Sequence, residues 1–371
     1  FGTRALERVP LAIEKIEKQH CRIVDVDMAT SQDSDGLHSR VLKADTVSKF
    51  VTIMRGCDNY CAYCVVPHVR GAETSRKPEH VINEIEQLVH EGVREVTLLG
   101  QNVNSYGKKE GLCTFAELLS RINDIKALAR IRFTTSHPKD LSDGLISAFG
   151  RLDKLCNHLH LPIQSGSNRV LKRMNRKYTR EAYLEKVAAL REVCPEIAIT
   201  TDIIVGFPGE SAADFDETLT LIEQMRYDSL FVFNYSDRPL APSRKFAPKV
   251  PEKEKKARLQ QVLDVQNTIT ADIHAKMVGR QMPVLVEGHS TRQQTEPSET
   301  SDKSLQWSGR TTCNKIVNFI VDGPAAAIST DITGETVRVN IERALSHSLW
   351  GILRIGSSGY SELKGDRSYA A

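Results

Sequence analysis

Arg55-Gly56-Cys57-Asp58-Asn59-Tyr60-Cys61-Ala62-Tyr63-Cys64 gathers three thiols at C-x3-C-x2-C spacing, directly after an apolar run at 50–54 that reads as a strand. Loops at the C-terminal ends of parallel strands are where α/β folds place their chemistry. Three thiolates from one tight loop can hold three irons of a 4Fe–4S cluster, and a missing fourth cysteine leaves one iron open to an exogenous ligand. Zinc is the rival, because closed zinc sites also use clustered cysteines, and His68 completes a Cys3His set on paper. Unligated thiols are the third reading. Spacing alone leaves all three open.

Downstream of the cysteines the pattern alternates. Strand candidates fall at 95–99, 130–134, 158–163, 199–205 and 230–234, and helical patterns at 78–92, 114–124, 141–149, 179–193 and 212–225. With the 50–54 run this makes six strands alternating with helices, which argues for a parallel sheet covered by those helices. Right-handed crossovers then allow an open doubly wound sheet or a barrel, complete or partial.

A charged helix at 252–277 ends this series. Short strand candidates follow at 283–287, 305–309, 316–320 and 336–340, with a polar stretch at 290–303 between the first two. That texture suggests a small β-barrel. Upstream of the cysteines stand a helical pattern (Ala5, Val9, Leu11, Ile13, Ile16), a short strand candidate at 22–26 and a polar linker at 30–39. The Gly/Ser-rich and polar end of the chain reads as a poorly ordered tail.

A chain of 371 residues suits two domains, and 40% apolar with 26% charged residues is ordinary for a soluble globular protein. No apolar run approaches the roughly 20 residues that span a bilayer, and the N-terminus lacks the features of a signal peptide. A cytoplasmic protein without membrane contact is expected. The net charge of +3 is too small to argue for nucleic acid, but its distribution is uneven. Residues 165–180 carry six bases and no acid, and 238–258 carry eight bases against Glu252 and Glu254. Such runs are either solvated helix faces or phosphate contacts. The other five cysteines (Cys21, Cys113, Cys156, Cys194, Cys313) lie far apart and read as small buried residues or free thiols.

The stretch 55–76 resembles the cluster loop of radical S-adenosylmethionine (SAM) methylthiotransferases. So do LLGQNVNSY at 98–106, RFTTSHP at 132–138, HLPIQSG at 160–166, DIIVGFPGE at 202–210 and FNYSDRP at 233–239. From Met282 onward the chain resembles a TRAM domain, a small RNA-binding β-barrel. The resemblance covers about 1–351 and implies an α/β fold: a partial (β/α)6 radical SAM barrel followed by a small all-β TRAM barrel. It divides the chain into 1–45 (the end of an N-terminal methylthiotransferase domain, plus linker), 46–276 (radical SAM core), 277–345 (TRAM) and 346–371 (tail). The GQNVNSY wording favours the branch acting on carbon 2 of dimethylallyladenosine next to the anticodon of tRNA. Relatives acting on threonylcarbamoyladenosine or on a ribosomal protein are the alternatives within the family, and a non-catalytic RNA-binding remnant is the alternative outside it.

The resemblance also implies one 4Fe–4S cluster on Cys57, Cys61 and Cys64, with SAM chelated at the open iron and cleaved to a deoxyadenosyl radical. A flavodoxin or ferredoxin would supply the electron, tRNA would be the partner, and the protein would act as a monomer. The family carries a second, auxiliary 4Fe–4S cluster on three further cysteines. Here Cys21 stands alone, so those ligands are absent from the chain, and cofactor cleavage without completed methylthiolation is expected.

For SAM, Gly100 would permit close backbone approach, while Gln101 and Asn102 offer paired donors and acceptors at a strand end. Ser136 and Gln164 end the third and fourth strands. Asp202 lies on the fifth, and Val205 opens a Gly/Pro turn whose backbone would meet the adenine edge. Tyr63 would pack beside the cluster or the adenine, and Arg176 would pair with the SAM carboxylate bidentately. Each has a plainer alternative: a strand-to-loop turn, a core aromatic, a surface or RNA-facing arginine. Arg238, Arg244 and Lys245 are the candidate RNA contacts. The TRAM-like segment 277–345 weighs against them, with seven bases and eight acids.

Overall fold

In the computed structural model the described residues are 8–26, 46–290, 305–323 and 331–354, with Gly2 and Ala5. The expected polar linker at 30–39, almost all of the polar stretch at 290–303 and the end of the tail lie outside them. The chain enters through α1 (Val9–Gln19), which starts with a proline in its first turn and stops where His20 turns left-handed. The strand expected at 22–26 does not form. Among the described residues that segment has no strand partner, and it is held instead by Gly2 N–H donating to Asp25 O and by an Arg8–Asp25 ion pair of 2.6 Å.

The next elements are β1 (Ser48–Thr52), β2 (Met54–Arg55), α2 (Val66–Arg70), β3 (Thr74–Ser75), α3 (Pro78–His90), β4 (Glu95–Leu99), α4 (Phe115–Asn123), β5 (Arg130–Phe133) and α5 (Asp143–Arg151). They are followed by β6 (His158–His160), α6 (Asn168–Arg173), α7 (Arg180–Val193), β7 (Ala198–Val205), α8 (Ala212–Met225), β8 (Ser229–Asn234) and α9 (Glu252–Ala275). β1–β4–β5 and β6–β7–β8 are each parallel. One bridge, Ile131 to Leu155, joins the two halves. Among the described residues β1 and β8 pair on one side only, so the six strands form an open crescent, a partial barrel.

The helices cover the crescent's outer face because their apolar residues recur at helical spacing. α3 buries Val81, Ile85 and Leu88, and α4 buries Phe115, Leu118, Leu119 and Ile122. Thr114 and Glu117 close a capping box at the start of α4, and Ser211 and Asp214 close another at α8. These side chains share one apolar core with Val51, Leu98, Ile131, Phe133, Ile199 and Ile203 from the strands. No helix among the described residues is long and apolar enough to cross a membrane.

The closed barrel is built from β9 (Gln281–His289), β10 (Gln306–Thr311), β11 (Ile316–Asp322), β12 (Thr336–Ala344) and β13 (Leu349–Arg354), in the order β10–β11–β13–β12–β9. Trp307, Val317, Phe319, Val337 and Val339 fill it by strict alternation. The fifth strand lies past the boundary expected at Leu345. Residues 349–354 alternate inward Leu349, Gly351 and Leu353 with more exposed neighbours, and four strands alone would leave an unpaired edge.

The barrel is fastened to the N-terminal ends of the crescent strands. Arg132 pairs with Glu95 at 3.0 Å, both side chains over nine-tenths buried, and donates to the carbonyls of Thr311 (2.6 Å) and Thr312 (3.1 Å). Arg130 donates to Pro283 O and Arg310 O, and Lys315 pairs with Asp228 at 2.8 Å. The β10–β11 turn therefore closes the end of the crescent opposite the cysteine loop.

Removing Arg132 strands Glu95 in a dry contact, so Arg132→Ala is expected to cost about 3–5 kcal/mol in urea unfolding. His158 sits beside the same contact. Loss of water, with Arg132, His160, Lys315 and Arg310 adding, holds its pKa down to about 3. The unfolded chain, with an ordinary histidine near 6.5, binds more protons below that pH. Stability should therefore fall as pH drops from about 6.5 towards 3, and His158→Gln should flatten that part of the profile in thermal melts.

Candidate iron–sulfur and cofactor site

The strand expected at 50–54 breaks at Ile53, and this break creates the site. After Thr52 the chain leaves the crescent, and β2 pairs antiparallel with β3, Met54 opposite Ser75 and Arg55 opposite Thr74. The hairpin closes the base of the loop that carries the cysteines. Gly56 has φ +74, and a Cβ there would lie 2.0 Å from Ala72 O, so only glycine turns the chain into the loop. Cys57 N–H donates to Gly71 O, Ala62 N–H to Met174 O, and Ser243 N–H to Ala62 O. Lys109 pairs with Asp58 at 2.9 Å from outside.

Cys61 is buried, while Cys57 and Cys64 are half-buried. Burial pushes the Cys57 thiol up to about 11, with Cys61 and Cys64 adding to the effect, and raises Cys64 as well. Among the described residues no three His, Cys, Asp or Glu groups converge on a single-ion position, and His68 is exposed on α2. A cluster needs its thiolates on separate irons, which the loop spacing allows.

Arg176, 4% exposed, lies directly against this loop. Its Nη1 donates to Cys61 Sγ and to Tyr63 OH, each at 3.3 Å; Nε donates to Tyr178 OH at 2.7 Å and Nη2 to Pro162 O at 2.8 Å. The fork expected to clamp a SAM carboxylate makes these four contacts within the protein. Tyr178 OH in turn reaches Ile163 O at 2.9 Å, tying the cysteine loop to the end of β6. His137 Nε2 lies 4.0 Å from Cys61 Sγ. Burial first, then Arg176, Lys139 and Lys186, hold the His137 pKa down to about 2, so it is neutral.

The remaining expected residues divide by what their side chains do. Gln101 Oε1, Asn102 Oδ1 and Ser136 Oγ are buried without any partner, beyond the ends of β4 and β5. Both polar atoms of Asn104 and Oδ1 of Asn234 share that condition. An unpaired buried polar atom costs roughly 1–3 kcal/mol, and a set of them facing one end of a sheet suits a polar ligand. Gln164 has φ +74 and works through its backbone: its N–H donates to Asp202 O and its carbonyl accepts from Ile204 N–H. Asp202 Oδ2 stands 3.5 Å from His160 Nε2.

Val205 is fully buried, and its carbonyl accepts from Tyr235 N–H. At Gly100 a Cβ would meet Met54 Cγ at 2.3 Å, so its missing side chain makes room for β2. Arg238, Arg244 and Lys245 are exposed beyond β8 on the cysteine-loop side. His137, Tyr178, Asn104 and Asn234 carry no periodicity signal that marks them in the sequence; their place beside the loop comes only from the fold.

The donor set fits a cluster with an open corner and a polar cofactor. Gly56→Ala is expected to abolish iron uptake during anaerobic reconstitution while far-UV circular dichroism stays that of the wild type, because the clash is confined to the loop base.

Residues 51–222 match the Radical SAM superfamily. The tRNA-2-methylthio-N(6)-dimethylallyladenosine synthase of Desulfosudis oleivorans is 56% identical over 95% of this chain and 75% of its own length. That of Syntrophus aciditrophicus is 49% identical over 95% of this chain and 72% of its own. Among solved structures, coproporphyrinogen III oxidase of Escherichia coli aligns with a TM-score of 0.47 and 16% identity, over 76% of this chain and 70% of that one. With a radical SAM crescent, a three-thiol loop at its strand ends and relatives of this closeness, the chain belongs to the radical SAM methylthiotransferases, in the family of the tRNA-2-methylthio-N(6)-dimethylallyladenosine synthases.

Proposed function

We propose that the protein takes part in methylthiolation of carbon 2 of N(6)-dimethylallyladenosine in tRNA, using one 4Fe–4S cluster on Cys57, Cys61 and Cys64. The observation that carries this reading is the three-thiol loop set at the strand ends, beside buried polar atoms that have no protein partner. The substrate follows from the named activity of relatives up to 56% identical. When bound, the cluster and SAM supply reductive cleavage of a sulfonium bond and a carbon-centred radical.

The chain's own residues bind, orient and shield. Gln101, Asn102 and Ser136 offer the unpaired atoms that the amino acid, ribose and base of SAM require. Asp202 faces the same concave side with His160, available to a ribose hydroxyl or a base edge. Tyr63 holds a buried hydroxyl beside Cys61 through Arg176 and excludes water there. Arg238, Arg244 and Lys245 leave three cations free for phosphates on the side where a stem would approach. An electron from a flavodoxin or ferredoxin, a monomeric state and a cytoplasmic location complete the reading.

Anaerobic reconstitution with iron and sulfide tests it. About four irons per chain, and deoxyadenosine on adding dithionite and SAM, are expected. Cys61→Ala should lose both. Binding should favour tRNA carrying dimethylallyladenosine over tRNA carrying threonylcarbamoyladenosine. Zinc in place of iron, or iron without deoxyadenosine, sinks the reading.

A further inference from the structure

A guanidinium at 4% exposure with no carboxylate beside it is an expensive object. No salt bridge involving Arg176 exists among the described residues, and each group it touches is neutral while the thiols are protonated: Cys61 Sγ, the hydroxyls of Tyr63 and Tyr178, and Pro162 O. Several other buried cations have acids, while Arg130, equally buried, has only the carbonyls of Pro283 and Arg310 among the described residues. Arg132 has Glu95, Arg258 has Glu210 and Lys315 has Asp228. What the site binds can supply an anion to Arg176, and the atom in position to carry it is the Cys61 sulfur.

We propose that Arg176 is a positioning residue for the iron–sulfur cluster, holding the Cys61 thiolate by a charge-assisted hydrogen bond and favouring the reduced cluster. The inference rests on the cluster reading above. Three thiolates on an oxidised four-iron core leave net negative charge, and an added electron increases it. A fixed cation in low dielectric stabilises the reduced form more than the oxidised one, and hydrogen bonds to the sulfurs act in the same sense. The tyrosines fix the fork: Tyr178 OH accepts from Nε while donating to Ile163 O, so the guanidinium cannot swing away from Cys61. This assignment competes with the one in which Arg176 grips the SAM carboxylate, and the two differ in what happens before SAM is present.

The test is a dye-mediated redox titration of the reconstituted protein without SAM, followed by electron paramagnetic resonance, on wild type, Arg176→Gln, Arg176→Lys and Tyr178→Phe. Iron per chain is measured on each sample. Wild type that takes up no four-iron cluster refutes the function proposed above and not this inference alone. With the cluster in place, Arg176→Gln should show a more negative midpoint potential at unchanged iron content. Arg176→Lys should stay near wild type, and Tyr178→Phe should fall between. An unchanged potential in Arg176→Gln, with or without weaker SAM binding, overturns the proposal. Where Arg176→Gln fails to hold iron, Tyr178→Phe decides: a lowered potential upholds the assignment and a wild-type one overturns it.

Discussion

The upper end of the crescent depends on one constraint: a cluster loop has to be held open in a dry place without a protein acid to balance its cation. Covering Cys57 and Cys64 raises their pKa values, which works against the thiolate form that binds metal. Arg176 sets a buried cation against Cys61. The loop then needs rigid walls, because a thiolate that wanders gains nothing from a fixed cation. β2–β3 at its base, Gly56 at its entry, and the backbone bonds from Ala62 to Met174 and from Ser243 to Ala62 supply those walls from three separate parts of the chain.

The two ends of the crescent answer opposite requirements. At the N-terminal end, Arg132 pairs with Glu95 and the carbonyls of residues 310–312 accept from Arg130 and Arg132, with Asn157 Oδ1 left unpartnered. At the C-terminal end, polar atoms of Gln101, Asn102, Asn104, Ser136 and Asn234 lack partners. Satisfied networks stabilise and fix one arrangement, while unsatisfied ones reduce stability and favour ligand binding. The closed barrel at one end and the open cysteine loop at the other follow this division. It also explains how the five-stranded barrel can carry no net positive charge and still matter: its described contact with the core is structural.

Much of this was legible in the sequence because period and spacing report local geometry. The strand–helix alternation located all six crescent strands, and C-x3-C-x2-C located the loop. What failed, failed for non-local reasons. The strand at 22–26 had the right composition but no neighbour to pair with. β13 was read as tail because Leu349-Trp350-Gly351-Ile352 acquires its meaning only when β11 and β12 flank it. At Gly100 the sequence does not say that Met54, 46 positions earlier, occupies the space beside it.

Arg176 is the instructive case. From the sequence it is expected at the SAM carboxylate, with a surface or RNA-facing arginine as the alternative, and within a run of six bases composition does not set it apart from Lys172, Arg173 and Lys177. Folding separates it from them. Asn175 and Lys177 both take positive φ, at 60 and 63, and these two tight reversals turn the intervening side chain inward while Lys177 faces water. Non-glycine residues in that region are strained, and two of them flanking a single buried arginine are hard to explain as an accident of chain path. The strain is supported by what the inward turn provides: Asn175 donates to Tyr60 O and Arg176 reaches Cys61, so both contacts fasten consecutive residues of the cluster loop. A basic run thus yields one cation to the metal site, and the geometry that selects it lies in two dihedral angles that no composition records.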